Sequence, residues 1–286
     1  WIETVILGLP DFVERMRDPI EDGRFKYSLS GDLKFRERWG LGNSVFATKI
    51  LYMLNIDGEL ANDSIANYIL SFQNDNGEIF DPLISRRSVW HRSLYCLVDR
   101  DINNLFGAQI RRAESRQSLA ALRALQSHPE YPYKAVPSSV DEVKKYIHSL
   151  NWRKPWNAGS HFGALIFLLK SKEWWSSSES CRDSGEKAES LIEEAFRQVS
   201  VYRQANGAWF MTGASPSTAE QVSGAMKMTI AFMVAEKGAT GKEEQLIDLC
   251  LDLAIKPDAC NNFNLVLVLY YALRSKNYRR SDVSRF

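Results

Sequence analysis

Hydrophobic residues recur along most of this chain at every third or fourth position. Clear examples are residues 5–16, 65–72, 143–150 and 191–199, where apolar side chains at i, i+3 and i+4 alternate with polar or charged ones. This spacing places the apolar side chains on one face of a helix, which is buried while the polar face stays in water. No window alternates hydrophobic and polar residues with a period of two. The sequence therefore predicts an all-α protein with almost no sheet.

Two further stretches, 163–169 and 265–273, are apolar on nearly every helical face. A helix of that kind is buried on all sides, so we expect apolar inner helices to alternate with amphipathic outer helices. Loops rich in Gly, Pro, Asn and Asp separate them. The alternation predicts five helical hairpins, which cover residues 3–55, 60–99, 106–170, 185–236 and 242–276.

A short loop motif recurs between an amphipathic and an apolar helix. Residues 69–80 and 201–210 each contain a Gln, a polar turn, a Gly and then an aromatic residue. In such a loop the glycine can adopt the left-handed conformation after the helix, and the aromatic ring packs back on the helix pair. Segments 150–156 and 254–260 occupy equivalent places in two other hairpins. Four loops in one kind of place indicate an internal repeat.

This repeat resembles that of the terpenoid cyclase/protein prenyltransferase superfamily. The fold of that superfamily is an α/α toroid, in which an outer ring of amphipathic helices encloses an inner ring of apolar helices. The resemblance covers most of the chain and implies one toroid domain over residues 1–286. It concerns the fold and does not assign an activity. Other α/α toroids, including polysaccharide lyases and glycosidases, give a similar alternation of helices.

Motifs of the better-known enzymes are missing from the sequence. Class II terpene cyclases protonate an alkene with an Asp-x-Asp-Asp cluster, which does not occur here. The nearest acidic residues, Asp75, Glu78 and Asp81, are expected to cap and solvate their turn. No GxSxG, HExxH, Walker A or GxGxxG motif is present. The sequence thus gives no support to the common hydrolases and nucleotide-binding enzymes.

One pair of residues matches a zinc motif in part. Protein prenyltransferases bind zinc through an Asp-x-Cys pair and a later His, and Asp258 with Cys260 reproduces the pair. No histidine follows, because His161 is the last one in the chain. Two ligands do not complete a tetrahedral zinc site. We therefore expect neither a metal nor a cofactor.

Composition and charge narrow the classes of partner. The chain of 286 residues is 45% hydrophobic, and 36 Lys+Arg balance 35 Asp+Glu to a net charge of +1. There is no basic excess that would indicate nucleic-acid binding, and no apolar run approaches the roughly 18–20 residues of a membrane span. The expected partner is a small molecule or a glycan. Four cysteines without a CxxC pair favour a reducing, cytoplasmic compartment, and the start at Trp1 favours a processed or excised piece.

Candidate catalytic residues lie in the loops that lead into the predicted inner helices. In a toroid the N-terminal ends of these helices surround the mouth of the cavity, where free N–H groups favour anions. His161 begins an apolar run, and a helix N-terminus there would lower its pKa into the range of an acid or base. His91 is a second candidate, and Asn157 would neutralise a carboxylate. The alternative for each histidine is a structural role, buried and bonded to a neighbouring loop or exposed.

The same loops contain many tryptophans and arginines. Aromatic rings stack on the apolar faces of sugars, while Arg and Asn bind hydroxyl and carboxylate groups. The sequence therefore favours a protein that binds or processes a polar or anionic carbohydrate, as a lyase or hydrolase if it is an enzyme. A second interpretation is that the tryptophans only hold the repeat loops together. The candidate substrate-binding residues are Trp39, Arg87, Trp90, Arg153, Trp156, Trp209, Asn261 and Asn262.

Two other functions stay open. The repeat loops and the Asp-x-Cys pair are also compatible with a prenyl- or terpenoid-handling enzyme that lacks the usual Asp-rich and zinc motifs. Arginines near the predicted mouth argue against an uncharged terpene, although a prenyl diphosphate could use them. The third hypothesis is a non-catalytic scaffold whose toroid pocket has no function.

Overall fold

The chain is α-helical in this computed structural model, which confirms the predicted all-α class. In the described ranges the only extended pairings are isolated two-residue bridges within loops, so no sheet forms there. Within the same ranges, no helix has both the length and the apolar character needed to cross a bilayer. The structure describes residues 2–31, 40–56, 63–83, 93–94, 96–98, 105, 107–175, 187–253 and 259–285.

The helices vary from one and a half to more than five turns. The longest, which begins at Pro155, has 20 residues. The 3-10 turn Ser200–Tyr202 extends one of the amphipathic helices, α7. In chain order the helices are α1 (Ile2–Arg15), α2 (Leu41–Met53), α3 (Asp63–Leu70), α4 (Ala108–Ala124), α5 (Val140–Ser149), α6 (Pro155–Trp174), α7 (Ala188–Val199), α8 (Thr218–Val234), α9 (Glu243–Leu251), α10 (Ala259–Ser275) and α11 (Arg280–Arg285).

Contacts divide the chain into two compact units. Unit 1 comprises residues 1–135 and 174–183, and unit 2 comprises residues 136–173 and 184–286. Unit 1 thus contains α1 to α4, while α5 to α11 belong to unit 2 except for the last residue of α6. The single domain and the ring of five hairpins remain predictions, and each unit is described by itself.

The amphipathic helices of unit 2 bury the predicted faces. Val143 and Ile147 of α5 and Leu191 and Ala195 of α7 are completely buried, and α5 packs directly against α7. Ser139 caps α5, because its hydroxyl accepts a hydrogen bond from the backbone N–H of Glu142. Such a cap satisfies an N–H group that has no partner inside the helix. The hydrophobic pattern therefore predicted these outer helices correctly.

Helices α6 and α8 approach each other closely through glycines. Gly159 of α6 lies so near α8 that an added Cβ atom would be 3.0 Å from the carbonyl oxygen of Gly224. Pro155 also contacts Gly224, and one helical turn beyond Gly159 on α6, Gly163 faces the carbonyl of Lys227. A later residue of α6 thus contacts a later residue of α8, so the two helices run parallel.

Helix α10 continues this parallel arrangement. The Asn264 side chain donates a hydrogen bond to the Ser223 hydroxyl of α8 at 3.1 Å, and both residues are buried. Further along, the Tyr271 hydroxyl donates to the carbonyl of Lys237, just beyond the end of α8. The N-terminal ends of α6, α8 and α10 therefore lie at the same end of unit 2.

Burial of the two apolar stretches differs. Residues 163–169 in α6 are buried apart from a half-buried Phe167, as predicted. In α10, however, Val266 and Tyr270 are each 60% exposed, so the expectation that this helix is buried all round is wrong. One face of α10 lacks a packing partner in the described part of unit 2, because the helix is held from its other side by α8 and α9.

Three loops share one backbone geometry. Gly23, Gly77 and Gly207 have φ values of 76°, 76° and 85°, which confirms the left-handed conformation predicted for the last two. In each loop the residue after the glycine accepts a backbone hydrogen bond from the residue that opens the loop. The pairs are Asp18 N to Arg24 O (2.9 Å), Asn74 N to Glu78 O (3.0 Å) and Gln204 N to Ala208 O (2.8 Å).

Each of these glycines packs against the backbone of a later segment of the chain. Gly23 contacts the carbonyl of Ser64 in α3, and an added Cβ on Gly77 would overlap the carbonyl of Pro132 and lie 2.7 Å from the Cα of Tyr133. On Gly207 it would lie 3.1 Å from the carbonyl of Lys242, which precedes α9. Glycine is therefore required at these positions for its φ angle and for its lack of a side chain.

Helix α4 packs within unit 1, and the predicted hairpin over residues 106–170 stays a prediction. Helix α4 contacts α2 and α3, and its Ser115 hydroxyl accepts a hydrogen bond from Ile79 N–H at 3.0 Å. It is therefore the helix that packs against the Gly77 loop. The buried side of α4 includes Ser115, Ser118 and Ala121, small residues that the hydrophobic pattern did not count as core.

We expect Gly77→Ala to lower the free energy of unfolding by about 2–4 kcal/mol, since a left-handed φ and an overlap with backbone both oppose the methyl group. Gly213→Ala is the matched control. Gly213 has a φ of 82° with no atom within 4 Å of an added Cβ, so that variant should lose only about 1–2 kcal/mol. Urea denaturation followed by circular dichroism measures both. Equal losses would show that the contact with residues 132–133 contributes nothing.

Candidate functional site

An aromatic ring at the start of α6 meets a cation from the middle of α8. The Lys227 ammonium nitrogen of α8 lies 4.2 Å from the centroid of the Trp156 ring on α6. Gly159 makes this possible, because an added Cβ there would be 3.0 Å from the Cβ of Lys227. Trp156 is 39% exposed, so the pair forms a partly open surface, which we call the Trp156–Lys227 site.

Two predicted residues adjoin this site in sequence. Asn157 is half-buried within the first turn of α6, and Arg153 is exposed just before the helix begins. An amide and a guanidinium thus adjoin Trp156 along the chain. Together they provide hydrogen-bond donors and positive charge beside an aromatic surface.

His161 of α6 is buried and contacts helix α5. Only 5% of its surface is exposed, and its Nδ1 lies 3.4 Å from the Tyr146 hydroxyl of α5. Five residues turn a helix by about 140°, so His161 lies on a different face of α6 from Trp156. The structure therefore does not bring His161 and the Trp156–Lys227 site together, and its contact is of the kind expected for a structural histidine.

Trp209 is enclosed by its own unit. It is 2% exposed, and the Arg203 guanidinium covers its ring at 4.6 Å from the centroid. Arg203 is held in turn by Thr240, whose hydroxyl accepts a hydrogen bond at 2.9 Å. Phe232 of α8 lies on the same ring, 6.0 Å between centroids. These contacts match the second interpretation of the tryptophans, in which they stabilise a repeat loop.

Asn261 and Asn262 lie in the first turn of α10 and are half-buried. Because Asn264 bonds to α8, this turn is at the end of unit 2 where α6 and α8 also begin. Both amides are therefore placed at the same end of the unit as Trp156.

The remaining predicted residues fall outside the described part of the chain. Cys260 is exposed in the first turn of α10, while its predicted zinc partner is not described. Among the described residues no three His, Cys, Asp or Glu side chains cluster as they would around a metal ion. The site residues outside the described ranges are His91, Trp39, Arg87 and Trp90, together with Asp258 of the Asp-x-Cys pair.

A pair of carboxyl groups in unit 1 is the feature that sequence reasoning missed. Asp81 follows the Gly77 loop and is 2% exposed, and its backbone N–H donates to Glu114 Oε2 of α4 at 2.7 Å. Asp81 Oδ1 accepts from Leu83 N–H at 2.9 Å, as expected of a turn cap, whereas Oδ2 is buried without a hydrogen bond. The predicted cap is thus confirmed, and the expectation that Asp81 is solvated is wrong.

Burial raises the pKa of both carboxyl groups. Removal from water disfavours the charged form, and it raises the pKa of Glu114 to about 7, with the nearby Asp81 carboxylate adding to this rise. The pKa of Asp81 is raised by burial as well. A carboxyl group that holds its proton near neutral pH can act as a general acid. Glu114 lies on a helix with no local motif, so the sequence contained no signal for this pair.

A buried arginine lies close to these carboxyl groups. Arg24 is almost completely buried, forms an ion pair with Asp18, and contributes to the electrostatic environment of Asp81. Burial raises the pKa of the neighbouring Tyr68 to about 12. A buried charge of this kind requires partners on every side, so the Gly23 loop is held in place by polar contacts as well as by packing.

No family model, no curated protein and no solved structure matches the chain.

Glu114→Gln should flatten the dependence of stability on pH between about 4.5 and 7. The Glu114 pKa rises from 4.5 to about 7 on folding, so the unfolded chain loses this proton first, and stability falls as pH rises through that window. Glutamine does not titrate, so the variant should not lose stability as pH rises through this window.

Thermal unfolding at pH 4.5, 6 and 7.5 measures this effect. Glu193→Gln, at an exposed position on α7, is the control and should behave as the wild type does. Parallel pH curves for the wild type and Glu114→Gln would contradict the assignment.

Proposed function

We propose that this protein binds a polar or anionic carbohydrate at the Trp156–Lys227 site. The observation that supports it most directly is the Lys227 ammonium nitrogen 4.2 Å from the centroid of a partly exposed tryptophan ring. An aromatic ring packs on the C–H face of a sugar, and an ammonium group binds the carboxylate of a uronic acid. Asn157 and Arg153 would bind hydroxyl and carboxylate oxygens beside them.

The direction of the inner helices supports an anionic ligand. Three parallel helices begin at this end of unit 2, and each N-terminus contributes partial positive charge and free N–H groups. Asn261 and Asn262 add amides in the first turn of α10. Uronate residues of a glycan are the ligands that this combination of charge, amides and aromatic surface favours.

We also propose that the hairpins form an α/α toroid of the terpenoid cyclase/protein prenyltransferase type. Support comes from the parallel inner helices of unit 2 and from the repeated glycine loops in both units. In that fold the Trp156–Lys227 site would lie at the mouth of the central cavity. Cleavage of the glycan, as a lyase or hydrolase with His91 and Asn157, is the catalytic extension of this proposal, and the buried His161 is left out of it.

Titration calorimetry with uronic-acid oligosaccharides and with neutral oligosaccharides of equal length tests the proposal. Lys227→Met should weaken binding of the acidic ligand about five- to tenfold, since one partly exposed ion pair is lost. It should leave the neutral ligand unchanged. Trp156→Ala should weaken both, because both stack on the ring.

Lys145→Met, an exposed position on α5, is the charge-matched control and should bind as the wild type does. Absence of binding of either ligand class at millimolar concentration would reject the proposed function. The same samples, followed by ultraviolet absorbance for unsaturated uronate products, test the lyase extension separately.

A second candidate is a prenyl- or terpenoid-handling enzyme. The observation in its favour is the pair of buried Asp81 and half-buried Glu114, because a carboxylic acid that burial keeps protonated can protonate an alkene. Helix α2 of the same unit exposes Phe46 and Met53, which provide apolar surface for a hydrocarbon chain.

Thermal shift with prenyl diphosphates separates the two candidates. The prenyl- or terpenoid-handling enzyme is favoured if a prenyl diphosphate stabilises the protein and uronates do not. Asp81→Asn should then lower turnover about 100-fold or more. Under the carbohydrate proposal only the uronates stabilise the protein. If neither class does, the non-catalytic scaffold is the function that remains.

A further inference from the structure

A small cleft opens in unit 1 between α1, α2 and the chain that follows Gly23. Its volume is about 150 Å³, and its walls are largely apolar, with Phe12 and Val13 from α1 and Phe46 and Ala47 from α2. All the residues that line it lie within the described part of unit 1. It is separate from the residues of the Trp156–Lys227 site, which belong to unit 2.

The wall opposite α1 is fixed in place by hydrogen bonds. Phe25 is 1% exposed, its backbone N–H donates to the Ser44 hydroxyl at 3.1 Å, and its carbonyl accepts from the Asn43 side chain at 3.3 Å. The Arg17 guanidinium lies 5.0 Å from the centre of the Phe25 ring. The cleft is therefore largely preformed, which lowers the entropic cost of binding.

One charged group on the wall lacks a counter-charge. The side chain of Lys26 lines the cleft and is half-buried, and in the described part of unit 1 its ammonium group has neither a hydrogen bond nor an ion pair. Its backbone, in contrast, is fixed by a bond from Lys26 N–H to the carbonyl of Met16 at 2.7 Å. A fixed lysine beside apolar walls favours a ligand with one negative charge and an apolar body.

We propose that this cleft binds a small monocarboxylate whose apolar body is one aromatic ring or a chain of about six carbons. An apolar cavity of about 150 Å³ accommodates benzene, which sets the size of the body. The ring lies between Phe46 and Val13, against Ala47, and the carboxylate binds the Lys26 ammonium. This inference does not depend on the proposed function, because its residues belong to the other unit.

Benzoate and benzyl alcohol are suitable probes, because they share a ring and differ in charge. Titration of the full chain followed by NMR should show saturable shifts with benzoate at a Kd on the order of 1 mM, as expected for so small a ligand. Lys26→Met keeps the apolar stem and removes the charge. It should weaken benzoate about fivefold or more and leave the weaker binding of benzyl alcohol unchanged.

Ala47→Leu fills the cleft and should abolish binding of both probes, with circular dichroism to confirm that the variant folds. Trp156→Ala is the control that separates the two sites and should bind benzoate as the wild type does. Three results would each overturn the inference. Lys26→Met could bind benzoate as tightly as the wild type does, or Trp156→Ala could lose its affinity for benzoate. The third is that the wild type does not bind benzoate at a concentration 10-fold above the expected Kd. Because Lys26→Met changes a surface charge only, the test holds even if Ala47→Leu does not fold.

Discussion

Close approach of loop backbone to a later segment of the chain is the constraint on which the rest of this structure depends. Gly23, Gly77 and Gly207 have left-handed backbone angles, and each lies where a side chain would press on that segment. In unit 1 the residue two positions later is bonded to a helix, to Ser44 of α2 after Gly23 and to Ser115 of α4 after Gly77. Each of these two loops thus positions a helix and a later segment of the chain, and a larger residue at the glycine would disturb both.

The sequence predicted this architecture where a single residue carries the signal. A glycine followed by an aromatic residue identified the loops at Gly77 and Gly207. The Gly23 loop was missed because it is two residues longer and contains no Gln. The buried side of α4 was predicted only in part, for another reason. This side contains serines that are satisfied by backbone carbonyls and N–H groups, so they pack as core residues although a hydrophobic pattern counts them as polar.

The chemistry of the site depends on partners far away along the chain, which local patterns do not contain. Trp156 begins α6 and Trp209 lies in the loop before α8, yet only Trp209 is enclosed, because Arg203 and Phe232 cover it. Asp81 and Glu114 are 33 residues apart, and nothing near either residue indicates that they share a buried site. Whether a side chain is structural or reactive depends on its burial, and burial is determined by the tertiary fold.

The glycine loops also determine how contacts are distributed along the chain. Each loop contacts a segment that follows it by roughly 35 to 55 residues, so these contacts stay within one part of the chain. Such a contact does not require the two ends of the chain to meet before it forms. A hairpin can therefore form on the ribosome while the next one is still being synthesised, and the glycine is the point at which the completed part receives its successor.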